Sequence, residues 1–114
     1  MKRVLILLVS EEERTALRDI LKADFSITSC SNSADASQYL QQDFDALILD
    51  LFLPGVDGLT FLRQQRKQRP GVCILLTKLI CDDVLAQVEE TDVNVLLRRP
   101  YEMDWISHYL LQQL

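Results

Sequence analysis

Three residues with complementary chemistry stand at, or just after, the ends of apolar runs: Asp50 ends "ALILD", Thr77 ends "VCILLT", and Arg99 follows "VNVLLR". A carboxylate is costly inside an apolar sheet but belongs at its carboxyl edge, where α/β folds bind ligands. There a carboxylate could accept a phosphoryl group, while a hydroxyl and a cation hold the phosphoryl oxygens. Taken singly, Asp50 could cap a turn, Thr77 could be a strand former and Arg99 could pair with a surface acid. Their placement together favours one shared site.

The elements that must position these residues alternate along the chain. Runs rich in Val, Ile and Leu predict five strands, which cover 3–9, 25–29, 46–52, 72–77 and 93–97. Apolar residues at helical spacing follow each run and predict five helices. The first helix begins near Ser10, and Glu13 three residues later completes a capping box. This order predicts a doubly wound α/β fold with a parallel sheet and right-handed crossovers.

Length and composition exclude several classes of function. The 114 residues make one domain, and the net charge of −5 argues against direct binding of nucleic acid. No stretch approaches the ~20 apolar residues of a membrane span. The three cysteines form no CxxC motif, so a reducing, cytoplasmic location is expected. The basic run "RQQRKQR" at 63–69 predicts the solvated face of a helix end.

Three segments together resemble the receiver domain of bacterial response regulators, of the chemotaxis-regulator type. "LILDLFLPGVDGLTFL" is similar to the family's phosphoacceptor segment, with the Pro, both Gly and the second Asp in place. "ILLT" resembles its switch-hydroxyl strand, and "LLRRPY" resembles the segment that carries a lysine before a proline. The resemblance covers the whole chain, 1–114. It implies a flavodoxin-like (βα)5 fold with strand order 2-1-3-4-5.

The resemblance also implies roles for single residues. Asp50 would be the phosphoacceptor, Thr77 the switch hydroxyl, and Arg99 would stand where the family has its lysine. Three further positions match structural residues of the family motif, with a cis peptide bond expected before the last of them: Pro54, Gly58 and Pro100.

The sequence departs from the family pattern at the metal site. Receivers carry two adjacent acids after the first strand, and alignment places Leu8 and Val9 at those positions. Neither side chain offers the oxygen ligands that Mg²⁺ requires. In an alternative register, Glu11 and Glu12 would join Asp50 in a metal site, but the strand would then have to run through Ser10. We therefore expect no cofactor, with Mg²⁺ binding weak or absent.

Two other departures concern the switch. Arg99 replaces the lysine, and its planar guanidinium can pair two oxygens at once, so it could clamp Asp50 directly. Leu96 stands where the family has an aromatic residue or histidine that rotates inward, and Leu96 has no polar tip.

Two functions remain open from the sequence. One is a receiver in a two-component phosphorelay, with Asp50 as a nominal phosphoacceptor whose phosphorylation is impaired. The other is a phosphorylation-independent pseudo-receiver that acts as a dimerisation or protein-interaction module. An enzyme on this fold is disfavoured, because no glycine-rich loop follows the first strand and Phe52 occupies the place of the second acid of a haloacid-dehalogenase phosphatase.

The expected partners follow from the resemblance. They are a sensor histidine kinase, a downstream effector domain that could follow Leu114, and a second copy of the chain. Self-pairing would use the face of the fourth helix, fifth strand and fifth helix, and its mixed charges could form reciprocal salt bridges. The residues predicted on this face are Asp82, Asp83, Glu89, Glu90, Arg98 and Tyr101.

Overall fold

Five strands and five helices alternate in the computed structural model, which describes residues 1–65 and 67–114. The strands are β1 (Arg3–Leu7), β2 (Ser26–Cys30), β3 (Ala46–Asp50), β4 (Val72–Thr77) and β5 (Val95–Arg98). The helices are α1 (Glu11–Leu21), α2 (Ser33–Tyr39), α3 (Gly58–Gln64), α4 (Asp82–Thr91) and α5 (Met103–Gln113). All paired strands are parallel in the order β2-β1-β3-β4-β5, so the predicted flavodoxin-like fold is confirmed.

Successive side chains of the central strands point to opposite faces of the sheet and pack in two separate apolar layers. In β1, Leu5 and Leu7 pack with α2 and α3, whereas Val4 and Ile6 pack with α1 and α5. Both faces of β1, β3 and β4 are therefore covered, which explains why these strands read as nearly continuous apolar runs.

The first strand is shorter than predicted, because it ends at Leu7. Leu8 lies beyond the strand but is fully buried in the layer beneath α1 and α5. The apolar character of Leu8 explains why the prediction carried the strand too far, to Val9. Val9 is already 48% exposed. Ser10 is the N-cap of α1, and its Oγ accepts a hydrogen bond from Glu13 N at 3.2 Å.

The basic run at 63–69 is not simply a solvated face. Arg63 and Lys67 are exposed, but Arg69 is half-buried, and its guanidinium donates to the carbonyl oxygens of Thr91 and Asp92 at the end of α4. Arg66 lies outside the described residues. Within the described part of the chain, no helix is long and apolar enough to cross a bilayer.

Candidate functional site

Asp50 is the last residue of β3 and is only 7% exposed. Both carboxylate oxygens have partners. Oδ2 accepts a hydrogen bond from Val9 N at 2.8 Å, and Oδ1 accepts one from Nη2 of Arg99. A charged group can lie at the end of this buried strand because a backbone N–H and a cation replace the water that it loses.

Arg99 reaches Asp50 from the segment that follows β5. Its backbone N–H donates to Thr77 O at 2.7 Å, and its peptide bond to Pro100 is cis. The guanidinium also pairs with Glu13, with Nε to Oε2 at 3.0 Å and Nη2 to Oε1 at 2.7 Å. Burial alone would lower the pKa of Arg99, but its hydrogen bonds to Glu13 and Asp50, and their charges, raise it instead. The guanidinium is therefore a permanent cation between two carboxylates.

Glu13 is a site residue that the sequence reasoning missed. The capping box accounts for its backbone N–H, but its carboxylate turns away from Ser10 to the Arg99 fork. Tyr101 also donates to Glu13, from Oη to Oε2 at 2.6 Å. Burial would raise the pKa of Glu13, but hydrogen bonds from Arg99 and Tyr101, with the charges of Arg99 and Lys78, outweigh it and lower the pKa.

Thr77 ends β4 and is buried, but its hydroxyl is turned to its own loop. Oγ1 donates to Leu79 O at 3.0 Å and accepts from Leu79 N at 3.1 Å, which is a local Ser/Thr turn. The three residues predicted to share a site thus meet at one sheet edge. Arg99 contacts Asp50 through its side chain and Thr77 through the backbone.

Leu8 and Val9, which the resemblance places at the acid-pair positions, follow the end of β1. Leu8 is fully buried, and the carbonyl oxygens of Leu8 and Val9 accept from Nη1 of Arg14 at 2.6 and 3.0 Å. The alternative register is not adopted, because β1 stops before Ser10 and places Glu11 and Glu12 on the exposed first turn of α1. Among the residues that the structure describes, no group of three or more His, Cys, Asp or Glu side chains could hold a metal ion.

Two adjoining cavities open beside the carboxylates. One, of about 340 Å³, is lined by Val9, Ser10, Glu13, Asp50, Phe52, Lys78 and Arg99. The other, of about 510 Å³, is lined by Glu13, Lys78, Arg99, Pro100, Tyr101 and Met103. Lys78 borders both cavities and was not singled out from the sequence, where it is only the residue after Thr77.

The turn after Asp50 is built by its glycines and by the second aspartate of the motif. Gly55 has φ +83°, a conformation in which other residues are strained, and it follows Pro54. Asp57 is the N-cap of α3 and accepts from Thr60 N at 2.8 Å. Gly58 opens that helix so close to β3 that an added Cβ would lie well inside van der Waals distance of Asp50 O.

The residues predicted on a dimer face fall into two groups. Five are exposed and form no salt bridge within residues 1–65 and 67–114: Asp82, Asp83, Glu89, Glu90 and Arg98. Tyr101 is half-buried, and its hydroxyl is turned to Glu13 on α1. Leu96, at the position of the family's aromatic switch, is half-buried and packs against the layer beneath α2 and α3.

The fold, the aspartate at the end of β3 and the turn that follows it are together typical of a receiver domain. The family model of the response regulator receiver domain matches residues 6–110, and the chain belongs to that family.

Two curated relatives show the level of similarity. Over 104 residues the chain is 36% identical to a protein-glutamate methylesterase/protein-glutamine glutaminase of Rhodopseudomonas palustris. This match covers 86% of this chain and 29% of the relative. Over 115 residues the chain is 26% identical to the hydrogenase transcriptional regulatory protein HoxA of Cupriavidus necator. That match covers 96% of this chain and 23% of the relative. The chain therefore spans less than a third of either relative.

Solved structures share the fold at low sequence identity. A CheY-like receiver domain protein from Methanospirillum hungatei superposes with a TM-score of 0.91 at 16% identity, covering 99% of this chain and 93% of that one. The chemotaxis protein CheY4 of Vibrio cholerae gives 0.86 at 19% identity, covering 100% and 99%.

Proposed function

We propose that this chain is a receiver in two-component signalling whose Asp50 is a nominal phosphoacceptor with impaired phosphorylation, so that the domain acts mainly through protein contacts. The observation that carries the proposal is the state of the Asp50 carboxylate. One oxygen is bonded to Val9 N and the other to the Arg99 guanidinium.

The donor set does not fit Mg²⁺, the metal that the family implies. A hard cation requires oxygen ligands, and the acid-pair positions carry Leu8 and Val9. The remaining carboxylates, on Asp50 and Glu13, are both already paired with the Arg99 guanidinium. Metal assistance in phosphoryl transfer is worth several kcal/mol of transition-state stabilisation. At about 1.4 kcal/mol per tenfold in rate, its loss would slow phosphorylation by orders of magnitude.

The paired arginine supports the same conclusion. To attack a phosphodonor, Asp50 must present a free oxygen, and separating it from Arg99 would break an ion pair whose side chains are only 10% and 18% exposed. Thr77 gives no contrary support, since its hydroxyl already has both partners within its own loop.

Partner choice rests on the family and its relatives. A sensor histidine kinase is the nominal phosphate source. The matched relatives are much longer than the matched region, which supports coupling of the receiver to a separate effector domain. No enzymatic activity of the chain itself is proposed beyond phosphoacceptor chemistry on Asp50.

The alternative is a pseudo-receiver that pairs with a second copy of itself. It is favoured by exposed charges of both signs on α4 and β5, where Asp82, Asp83 and Arg98 form no internal salt bridge in the described part of the chain. Sedimentation at low and high salt would test it. A dimer that weakens with salt, and that Arg98→Glu disrupts, would support self-pairing, whereas a monomer at every concentration would exclude it.

The main experiment is incubation of the chain with acetyl phosphate, with and without Mg²⁺, followed by intact mass measurement. We expect no phosphoryl adduct, and Asp50→Asn serves as the control for adducts at other sites. A Mg²⁺-dependent adduct that vanishes in Asp50→Asn would overturn the proposal and establish a working receiver.

A further inference from the structure

The Arg99 guanidinium is held from two sides, by Asp50 on β3 and by Glu13 on α1. We propose that Glu13 is a positioning residue that keeps Arg99 on Asp50, so that helix α1 controls whether the Asp50 carboxylate is accessible. This inference rests on the proposed function only in taking Asp50 as the carboxylate whose availability matters.

The Arg99 side chain makes more hydrogen bonds with Glu13 than with Asp50. Arg99 donates to both oxygens of Glu13, at 3.0 Å from Nε and 2.7 Å from Nη2, but it meets Asp50 through Nη2 alone. Paired bonds of this kind fix the plane of a guanidinium as well as its position. Without Glu13, one contact would have to restrain a long side chain with several rotatable bonds.

Glu13 is itself held by two groups that are not among the hydrogen-bond partners of the Asp50 carboxylate. Tyr101 donates to Oε2 at 2.6 Å, and the backbone N–H of Glu13 is bonded to the Ser10 cap. Its carboxylate stands in the first turn of an eleven-residue helix, where the helix dipole favours a negative charge. The position of the Arg99 fork is thus set by the start of α1 and by the segment that follows β5.

The three side chains together carry more negative than positive charge. Two carboxylates share one guanidinium, and the side chains of Glu13 and Asp50 are only 14% and 10% exposed. The exposed Lys78 borders the same cavity and adds a second cation, although it makes no ion pair within the described residues. Removing the Glu13 charge takes away the paired bonds that orient Arg99. The Asp50 carboxylate, which already lines the 340 Å³ cavity, is then covered less of the time by the guanidinium.

The test measures the chemical accessibility of Asp50 without phosphodonor or metal. Brief treatment with a water-soluble carbodiimide and glycinamide, followed by peptide mass spectrometry, gives the rate of amide formation at residue 50. In Glu13→Gln, which keeps the shape of the side chain, we expect labelling about tenfold faster than in the wild type, equivalent to about 1.4 kcal/mol. Glu12→Gln, on the exposed neighbouring position, should label at the wild-type rate.

Two further variants separate positioning from folding. Arg99→Gln should raise labelling as Glu13→Gln does, and combining the two should add little, because both remove the same cover. Tyr101→Phe should give a smaller rise, and it remains informative if Glu13→Gln does not fold. Wild-type labelling rates in both folded Glu13→Gln and Tyr101→Phe, or full additivity in the double variant, would overturn the inference. Since no phosphodonor is used, this result is independent of whether the wild type takes up phosphate.

Discussion

Arg99 meets Glu13 through two hydrogen bonds, of 3.0 and 2.7 Å, across 86 positions of sequence. The contact ties the first turn of α1 to the segment after β5, and the same guanidinium continues to Asp50 at the end of β3. The Arg99 side chain thereby joins three parts of the fold at one sheet edge: the start of α1, the end of β3 and the segment after β5. We therefore expect both the stability of the fold and the accessibility of the Asp50 carboxylate to depend on the Arg99 guanidinium.

Replacing Arg99 with Ala should destabilise the fold, because Glu13 and Asp50 would be left as adjacent, poorly hydrated anions. Removal of one partner of a fully buried pair typically costs roughly 3–5 kcal/mol, and partial exposure here reduces the expected loss to about 2–4 kcal/mol. Denaturant unfolding of Arg99→Ala and of the matched control Arg98→Ala would measure it. Arg98 is exposed and forms no salt bridge in the described part of the chain. Equal stability of the two variants would contradict a clamp at Asp50.

Gly58→Ala should be one of the most damaging small substitutions in the chain. The added methyl group would collide with the backbone oxygen of Asp50 and lie 3.0 Å from Leu75 Cδ1. The backbone of a central strand cannot easily yield, so we expect a loss at the upper end of the roughly 1–3 kcal/mol of overpacking. Gly71→Ala is the matched control, since nothing lies within 4 Å of its added Cβ. Thermal unfolding of the pair checks the prediction, and similar melting temperatures would refute it.

Patterns local in sequence predicted most of this fold. Apolar runs located five strands, and the Ser10–Glu13 spacing located the start of α1. The same spacing hid the role of the Glu13 side chain, because a capping box is a local explanation, whereas the bond to Arg99 depends on packing of distant elements. Leu8 misled for a related reason, since burial beneath helices and burial within a strand require the same apolar residue.

Acid should remove the stabilisation that Glu13 provides. Its pKa is lowered below the ordinary 4.5 by Arg99 and Tyr101 despite burial, so the charged form is favoured in the folded state. The contribution is therefore complete above pH 4.5 and is lost as pH falls through the lowered value. The unfolding free energies of wild type and Glu13→Gln should differ by a constant amount near neutral pH and converge in acid. A gap that persists unchanged to about pH 2, below the ordinary range of carboxyl pKa values, would argue against this assignment.

Introducing an acid beside Asp50 should create a stronger response to Mg²⁺ than we expect of the wild type. Val9 is the better position, because the residue is 48% exposed while Leu8 is fully buried, and its N–H already donates to Asp50 Oδ2 at 2.8 Å. In Val9→Asp/Arg99→Lys the introduced carboxylate would face Asp50 without the guanidinium fork, and oxygen ligands would become available to a hard cation.

Binding of Mg²⁺ to the folded state alone should stabilise this double variant by about 2.7 kcal/mol at a hundredfold excess over its dissociation constant. Thermal unfolding across a Mg²⁺ titration measures the effect, with Val9→Asn/Arg99→Lys as the neutral control. We expect a clear rise in melting temperature for the acidic variant and little change for the control or the wild type. An equal rise in the wild type would mean that its own residues bind the metal, and that Leu8 and Val9 do not disable the site.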